Sequence, residues 1–79
     1  MFFWNKQNIE WFIESSRHSL FHKNLADLIV PHIESDSTVL DIGAGLGCLD
    51  RELSKYCKKI TLIEPNRDAY DFLIKNKKL

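Results

Sequence analysis

The stretch VLDIGAGLG, residues 39–47, decides the fold predicted for this chain of 79 residues. A short, mainly apolar run leads directly into glycines at alternate positions, Gly43, Gly45 and Gly47. Glycines at this spacing allow positive φ angles and let a ligand approach the main chain with no Cβ in the way. The stretch therefore predicts a strand that ends in a ligand-binding loop.

The residues after the loop complete a compact unit. Leu46, Leu49 and Leu53 recur at intervals of three and four, which predicts one apolar face of a helix that runs to about Lys58. A second strand is predicted at residues 60–64, ITLIE, and it ends on an acid. Strand, glycine loop, helix, strand and terminal acid in this order are typical of half a nucleotide-binding fold.

The loop and the terminal acid resemble the signature of the class I S-adenosylmethionine-dependent methyltransferases. Their glycine motif is an acid, any residue, and then Gly-x-Gly-x-Gly, which matches Asp41 and the three loop glycines. Their second strand ends in an acid that binds the two ribose hydroxyls, and Glu64, followed by Pro65, stands at that place. The resemblance covers roughly residues 20–79. Two paired motifs make it more specific than a lone glycine loop.

This resemblance implies an α/β fold, the N-terminal part of a Rossmann-like methyltransferase domain. Amphipathic helices would precede strand, glycine loop, helix, strand and helix, with two parallel strands. S-adenosyl-L-methionine is the implied cofactor: the loop backbone would lie under its methionine part, Asp41 would favour its ammonium, and Glu64 would accept from its ribose. The cofactor-binding residues that the resemblance implies are Asp41, Gly43, Ala44, Gly45, Gly47, Glu64 and Pro65.

An NAD(P)-binding Rossmann fragment is the nearest alternative. Dehydrogenases use G-x-G-x-x-G, or Ala in the last place, with an apolar residue two positions before the first glycine. This chain has Cys48 and Asp41 at those positions. A pyrophosphate would also lie poorly beside the Asp41 carboxylate, whereas a ligand with an ammonium and a sulfonium would be favoured by it. The methyltransferase interpretation is therefore preferred.

No catalytic base or methyl-acceptor pocket is predicted. Methyltransferases that resemble this chain carry those parts on later strands, which would follow Leu79. We expect a single incomplete domain that is inactive alone, with N-terminal helices in residues 1–33 and the cofactor-binding half in residues 38–79. A non-catalytic, self-associating or partner-binding module is the alternative of another class. Two strands leave both sheet edges open, which predicts a homo-oligomer, most simply a dimer.

Composition sets the expectations about partners and compartment. Eleven basic residues balance eleven acidic ones, and hydrophobic residues make up 44% of the chain, as in ordinary globular proteins. This balance indicates no nucleic-acid partner. Two cysteines without a secretory leader predict a cytoplasmic protein, and no apolar run reaches membrane-spanning length, so no membrane association is expected.

Aromatic residues are concentrated near the start of the chain. Ile9, Phe12 and Ile13 fit one stripe of an amphipathic helix that has Glu10 and Glu14 on its other side. Packing against the domain is the preferred role of the aromatic residues, and a lid over the cofactor or substrate pocket is the alternative. The aromatic residues concerned are Phe2, Phe3, Trp4, Trp11 and Phe12.

Two further helices are predicted from the apolar pattern. Leu25 and Leu28 mark the first, and Pro31 biases Val30 away from helical geometry, so this helix should end near there. Asn66 can cap the second, which follows the terminal acid of the unit.

Two histidines stand at a spacing that would let both bind one metal ion. His18 and His22 are four residues apart, as on one face of a helix. No third ligand stands at the spacing of a zinc motif, so no metal site is predicted.

Overall fold

A computed structural model describes residues 4–76 of the chain. Within that range it has four α-helices, two short 3-10 helices and two parallel strands, and the predicted α/β class is confirmed. In chain order the elements are α1 (Lys6–Ser16), α2 (Phe21–Ile29), a 3-10 helix (Val30–His32), β1 (Thr38–Ile42), α3 (Cys48–Leu53), a 3-10 helix (Ser54–Tyr56), β2 (Lys59–Ile63) and α4 (Arg67–Lys75).

The two strands pair in parallel register from Thr38 with Lys59 to Ile42 with Ile63. Exposure alternates along both strands, as the period of two in an extended chain requires. One face of the sheet is half-buried, whereas the other leaves Leu40, Ile42 and Ile63 exposed. The glycine loop therefore extends from the end of a sheet that is covered on one side.

The buried core lies where α1, the glycine loop and α4 meet. Ile9, Leu46 and Ala69 form its centre, one from each of these segments, and Trp4 and Phe12 pack against them. The N-terminal helix thus has the packing role preferred from sequence, although Trp11 on the same helix is 64% exposed. Phe2 and Phe3, which belong to the same aromatic stretch, lie outside the described residues.

The helix after the glycine loop is shorter than predicted. It was expected to run to about Lys58, but α3 ends at Leu53 and continues only as the 3-10 helix. Cys57 is already extended, with φ −141° and ψ 167°, and the N–H of Lys58 donates to the carbonyl of Ser37 at 2.9 Å. Cys57 and Lys58 therefore form the extended segment that leads into β2 and are not part of the helix.

The second helix ends where the sequence predicts, because α2 stops at Ile29, but the expectation that Val30 is not helical was wrong. The residue precedes Pro31, yet its φ of −50° and ψ of −40° are helical. Proline is accepted in the first turn of a helix because its missing N–H has no partner there, and Val30 opens a 3-10 helix whose first positions include Pro31. The Ile33 N–H closes this turn on the Val30 carbonyl at 3.2 Å.

The predicted cap of the last helix is confirmed. The Asn66 side chain accepts a hydrogen bond from the Ala69 N–H at 3.0 Å. This bond satisfies one of the N–H groups that a helix leaves without an internal partner, and it starts α4 directly after the turn that carries Glu64.

The helices are short. The longest in residues 4–76 is α1 with eleven residues, whereas a helix that crosses a bilayer needs about 20. None of the described helices has the length and apolar character to span a membrane.

Candidate cofactor site

The glycine loop depends on three positive φ angles. They are 78° at Gly43, 62° at Gly45 and 74° at Gly47, and every other described residue has a negative φ. Side chains with a Cβ are strained in this conformation, which explains the three glycines. The N–H groups of Gly43 and Ala44 both donate to the carbonyl of Ile63, at 2.7 and 3.1 Å, so the loop is tied to the end of β2.

Glu64 links the loop to the next turn. Its Oε1 accepts a hydrogen bond from the Gly45 N–H at 2.7 Å, and its Oε2 accepts one from the Asn66 N–H at 2.9 Å. The sequence placed this acid in the site only as a ligand for ribose. The structure adds a second role, because the carboxylate holds the two loops that border the sheet end in a fixed relation.

Most of the loop N–H groups are already used inside the protein. Gly43 and Ala44 donate to Ile63, Gly45 donates to Glu64, and the Gly47 N–H donates to the Ala44 carbonyl at 3.2 Å. A phosphate-binding loop points such donors at its ligand. These four are turned inward, so the loop does not offer them to a phosphate.

A pocket of about 310 Å³ lies between the glycine loop and the N-terminal helices. Its loop side includes Asp41, Gly43, Ala44 and Gly45, four of the residues predicted from the motif. Gly47, Glu64 and Pro65 are not among the described residues that line it. The structure thus brings four predicted residues together in one pocket, with Glu64 attached to it through Gly45.

Aromatic rings form the opposite wall of this pocket. They stand edge to face: Trp4 and Phe12 have ring centroids 5.1 Å apart, Phe12 and His22 5.8 Å, and Phe21 and His22 5.1 Å. All four rings line the pocket. The rings of Trp4 and Phe12, which pack against the core, therefore also border the glycine loop, and a lid over the cofactor pocket stays a prediction.

The three glycines differ in what surrounds them. A Cβ on Gly43 would meet nothing within 4 Å, and one on Gly45 would lie 3.4 Å from the ring of Trp4. A Cβ on Gly47 would lie only 2.9 Å from Cδ2 of Leu73 and 3.4 Å from Cδ2 of Leu62. Gly43 and Gly45 thus keep the pocket side of the loop open, whereas Gly47 lets α4 and β2 pack closely.

Asp50 is a buried carboxyl group that the sequence reasoning missed. It lies in the first turn of α3 with 0% exposure, and neither oxygen meets an N–H or O–H donor within residues 4–76. Burial raises the pKa of Asp50 from its ordinary 3.8 to about 7, and a hydrogen bond with the Asp41 side chain adds to the rise. Two carboxyl groups bond only when one carries a proton. The raised pKa of Asp50 therefore favours its protonated form below about pH 7.

The Cys48 thiol, which lines the pocket, is inert. Burial raises the pKa of the Cys48 thiol above its usual 9.0, while Arg51 and a bond with Ser16 oppose the rise. The thiol is therefore protonated at neutral pH and is a poor nucleophile.

Potential metal ligands do not converge in the described part of the chain. Residues 4–76 contain no group of three or more His, Cys, Asp and Glu side chains that suits a metal ion. His18 bonds Glu14 at 3.3 Å, and His22 contacts aromatic rings.

A larger groove of about 700 Å³ runs between α1 and α4. Charges of both signs line it, including Lys6, Arg17, Glu10 and Asp71, and its described lining residues include none of the glycine loop. No group of one charge or chemistry converges there, so the smaller pocket is the candidate site.

Comparison with known proteins agrees with the site motif. The sequence model of the ribosomal RNA adenine dimethylase family matches residues 13–79. The chain is also 33% identical over 70 residues to the probable ribosomal RNA small subunit methyltransferase A of Methanosphaera stadtmanae. The aligned region covers 86% of this chain and 26% of that protein. The chain thus spans about a quarter of the length of this relative. No solved structure gives a significant match.

The family match covers the glycine loop, Asp41 and Glu64, the residues whose spacing resembles that of class I methyltransferases. That resemblance is confirmed. The chain belongs to the ribosomal RNA adenine dimethylase family of S-adenosylmethionine-dependent methyltransferases.

Proposed function

We propose that the protein transfers methyl groups from S-adenosylmethionine to adenine bases of small-subunit ribosomal RNA, and that this chain supplies the part that binds the methionine and ribose of the cofactor. Membership of the family and the name of the relative support the reaction. The observation that carries the proposal is the pocket in which Asp41 and the open glycine loop meet, with Glu64 attached to the same loop.

The pocket suits the methionine end of the cofactor. Gly43 has open space where a Cβ would stand, so a ligand can reach the main chain. The inward-turned N–H groups offer little to a phosphate, whereas the Asp41 carboxylate, which lines the pocket, attracts an ammonium. These features favour a cationic amino-acid group over a pyrophosphate, and so favour S-adenosylmethionine over NAD.

Glu64 can bind ribose without giving up its structural bonds. A carboxylate has two oxygens and about four lone-pair positions. The Gly45 and Asn66 N–H groups use one position on each oxygen. One position on each oxygen stays available, which matches the two neighbouring hydroxyls of a ribose. The main-chain bonds would then orient the carboxylate before the cofactor arrives.

The contribution of this chain to the reaction is binding and orientation. S-adenosylmethionine, when bound, supplies an electrophilic methyl group on a sulfonium. Asp41 would hold the ammonium and Glu64 the ribose, so that the direction of the methyl group is fixed relative to the protein. The aromatic wall of Trp4, Phe12 and Phe21 would keep water from this end of the pocket. No described residue is assigned as the base that takes the proton of the acceptor.

An RNA substrate goes beyond the partners expected from sequence. The balance of eleven basic and eleven acidic residues indicated no nucleic-acid partner. That balance describes only a stretch that spans 26% of the relative's length. Phosphate contacts are made by local basic surfaces, so the charge of one segment does not decide the matter for a longer protein.

The test is methyl transfer from labelled S-adenosylmethionine to unmethylated small-subunit RNA, with protein expressed from its complete reading frame. We expect label in adenine bases. Asp41→Ala should remove most of the activity, while Asp36→Ala, a matched change at an exposed acid in the turn before β1, should leave it unchanged. Label in another base would overturn the substrate, and no transfer to any RNA would favour a non-catalytic module.

A further inference from the structure

We propose that Asp50 is a second carboxyl group of the cofactor site, which acts on the ligand through Asp41 and gives up a proton when the ligand's ammonium binds there. The inference rests on the proposed function, because it concerns the same ligand. It adds a residue that the glycine motif does not include. It also makes the affinity for the cofactor depend on pH.

Asp50 is enclosed by the protein. It lies in the first turn of α3, and Leu53, one turn later on the same side of the helix, is buried with it. Asp50 has 0% exposure, and neither of its oxygens meets a hydrogen-bond donor within residues 4–76. A buried carboxylate without donors costs free energy, so the free protein favours the neutral, protonated form at this position.

Asp41 stands between Asp50 and the pocket. It lies on the half-buried face of β1 and lines the pocket beside the glycine loop. Asp50 is not among the described residues that line this pocket, but its carboxyl group bonds the Asp41 side chain. A cation in the pocket can therefore contact Asp41 directly and Asp50 only through it.

Asp50 has no basic partner. Burial is the main cause of its raised pKa, and Asp41 is the charged side chain that adds to the rise. No Lys, Arg or His of residues 4–76 forms an ion pair with it. At this carboxyl pair a proton therefore takes the place of a basic partner.

The other ionisable groups around α3 have contacts elsewhere. On the outer surfaces of the neighbouring helices, Lys23 pairs with Asp27 and Arg67 with Asp71. The groups that face the loop or the pocket are His22 of α2, Cys48 and Arg51 of α3, and Glu64 after β2. Of these, His22 is the one that can also exchange a proton near pH 6.5, so the experiment must separate it from Asp50.

An ammonium on Asp41 changes the balance at Asp50. The negative charge of Asp41 opposes ionisation of its neighbour and so contributes to the raised pKa of Asp50. A cation beside Asp41 offsets that charge and lowers the pKa of Asp50. The O–H bond of Asp50 then breaks, its electron pair stays on the carboxylate, and the proton goes to the solvent. Because the bound state holds fewer protons than the free state, affinity rises with pH up to about 7.

The experiment is calorimetry of S-adenosylmethionine binding at pH 6.5, on protein from the complete reading frame, in buffers of different ionisation enthalpy. The difference in heat between buffers counts the protons released. A fall of about one in the pKa of Asp50 on binding makes wild type release about half a proton more than Asp50→Asn. From pH 5.5 to 7 the affinity of wild type should rise about fourfold relative to that variant.

Two controls identify the source of the proton. His22→Gln removes the other group of the pocket that can release one, and it should still release more than Asp50→Asn. Asp36→Asn, at an exposed acid, should release as many protons as wild type. Infrared difference spectra of wild type at pH 6.5 give a reading that needs no variant. The C=O band of a protonated carboxyl group should decrease when the ligand binds.

Equal proton release by wild type and Asp50→Asn would show that Asp50 only packs, and would overturn the inference while leaving the proposed function intact. An unchanged carboxyl band in wild type would overturn it too, whether or not the variant folds. Wild-type protein that does not bind S-adenosylmethionine at all would remove the proposed function, and this inference with it.

Discussion

The Glu64 carboxylate ties the glycine loop to the end of the second strand, through a 2.7 Å hydrogen bond that it accepts from the Gly45 N–H. Its second oxygen bonds the Asn66 N–H at the start of α4. The acid that we propose as the ribose ligand is thus also the residue that fixes the shape of the loop. Binding and local stability should therefore change together when it is replaced.

Replacement of Glu64 by Ala should weaken S-adenosylmethionine binding by about 1.5 to 3 kcal/mol, because two ribose hydroxyls lose a charged acceptor. The Gly45 and Asn66 N–H groups lose their acceptor as well, so the free energy of unfolding should fall by about 1 to 3 kcal/mol. Calorimetry measures the first effect and denaturant unfolding the second.

Glu64→Gln is the matched control for that experiment. The amide keeps one oxygen, which can still accept from Gly45, but it removes the charge. We expect a smaller loss of stability than in the Ala variant and a clear loss of affinity. If affinity falls by less than about 0.5 kcal/mol in the Ala variant, Glu64 lies outside the ribose site.

Asp50→Asn should change how stability depends on pH. The folded pKa of Asp50 is raised from 3.8 to about 7, so between these values the folded state binds more protons than the unfolded state, and this group costs stability as pH rises. An Asn removes that cost and can still donate to Asp41. The variant should gain stability over wild type between about pH 4 and 7, by up to about 4 kcal/mol, with no further gain above that window.

Unfolding of both proteins in denaturant at several pH values measures this difference. Asp36→Asn, at an exposed position, is the control for the loss of one carboxyl. A difference between Asp50→Asn and wild type that stays the same from pH 4 to pH 8 would show that Asp50 does not carry the additional proton.

Gly47→Ala and Gly43→Ala form a pair that separates packing from backbone strain. Both residues have positive φ, which costs an alanine roughly 1 to 2 kcal/mol. At Gly47 the new methyl would also approach Leu73 to 2.9 Å, whereas at Gly43 it meets open space. Gly47→Ala should therefore lower the free energy of unfolding by about 1 to 3 kcal/mol more than Gly43→Ala. Equal losses would show that the packing around Gly47 adapts.

The glycine loop and its acids were predictable because their signal is local. Asp41, the three glycines and Glu64 stand at spacings that a strand, a tight turn and a strand end impose. In the structure the Glu64 carboxylate accepts a hydrogen bond from the Gly45 N–H. The contact between Trp4 and Gly45 could not be read in the same way, because it joins segments distant in sequence through a shared core.

Asp50 was hidden for a different reason. An acid in the first turn of a helix is the ordinary response to the helix dipole, and such residues are usually exposed. The burial of this one depends on the close packing around α3, which no spacing shows. The helical conformation of Val30 was not predicted, because a residue before proline is usually extended. Here the hydrogen bond that closes the 3-10 turn on the Val30 carbonyl outweighs that preference.

Self-association of the 79-residue chain stays a prediction, and the exposed sheet face supports it. Ile42 is 74% exposed, Leu40 56% and Ile63 47%, on a two-stranded sheet whose edges are open. Contiguous apolar surface of this kind tends to bind other chains. Light scattering at micromolar concentration should show a dimer, and Ile42→Lys should weaken it. A monodisperse monomer near 9.3 kDa that unfolds cooperatively would contradict the prediction.

The most direct test of the account is calorimetry of the protein from its complete reading frame with S-adenosylmethionine and, separately, with NAD. The account predicts that one molecule of S-adenosylmethionine binds per chain and that NAD gives no heat, because the loop turns its N–H groups inward and presents Asp41 to the ligand. Binding of NAD without binding of S-adenosylmethionine would contradict it.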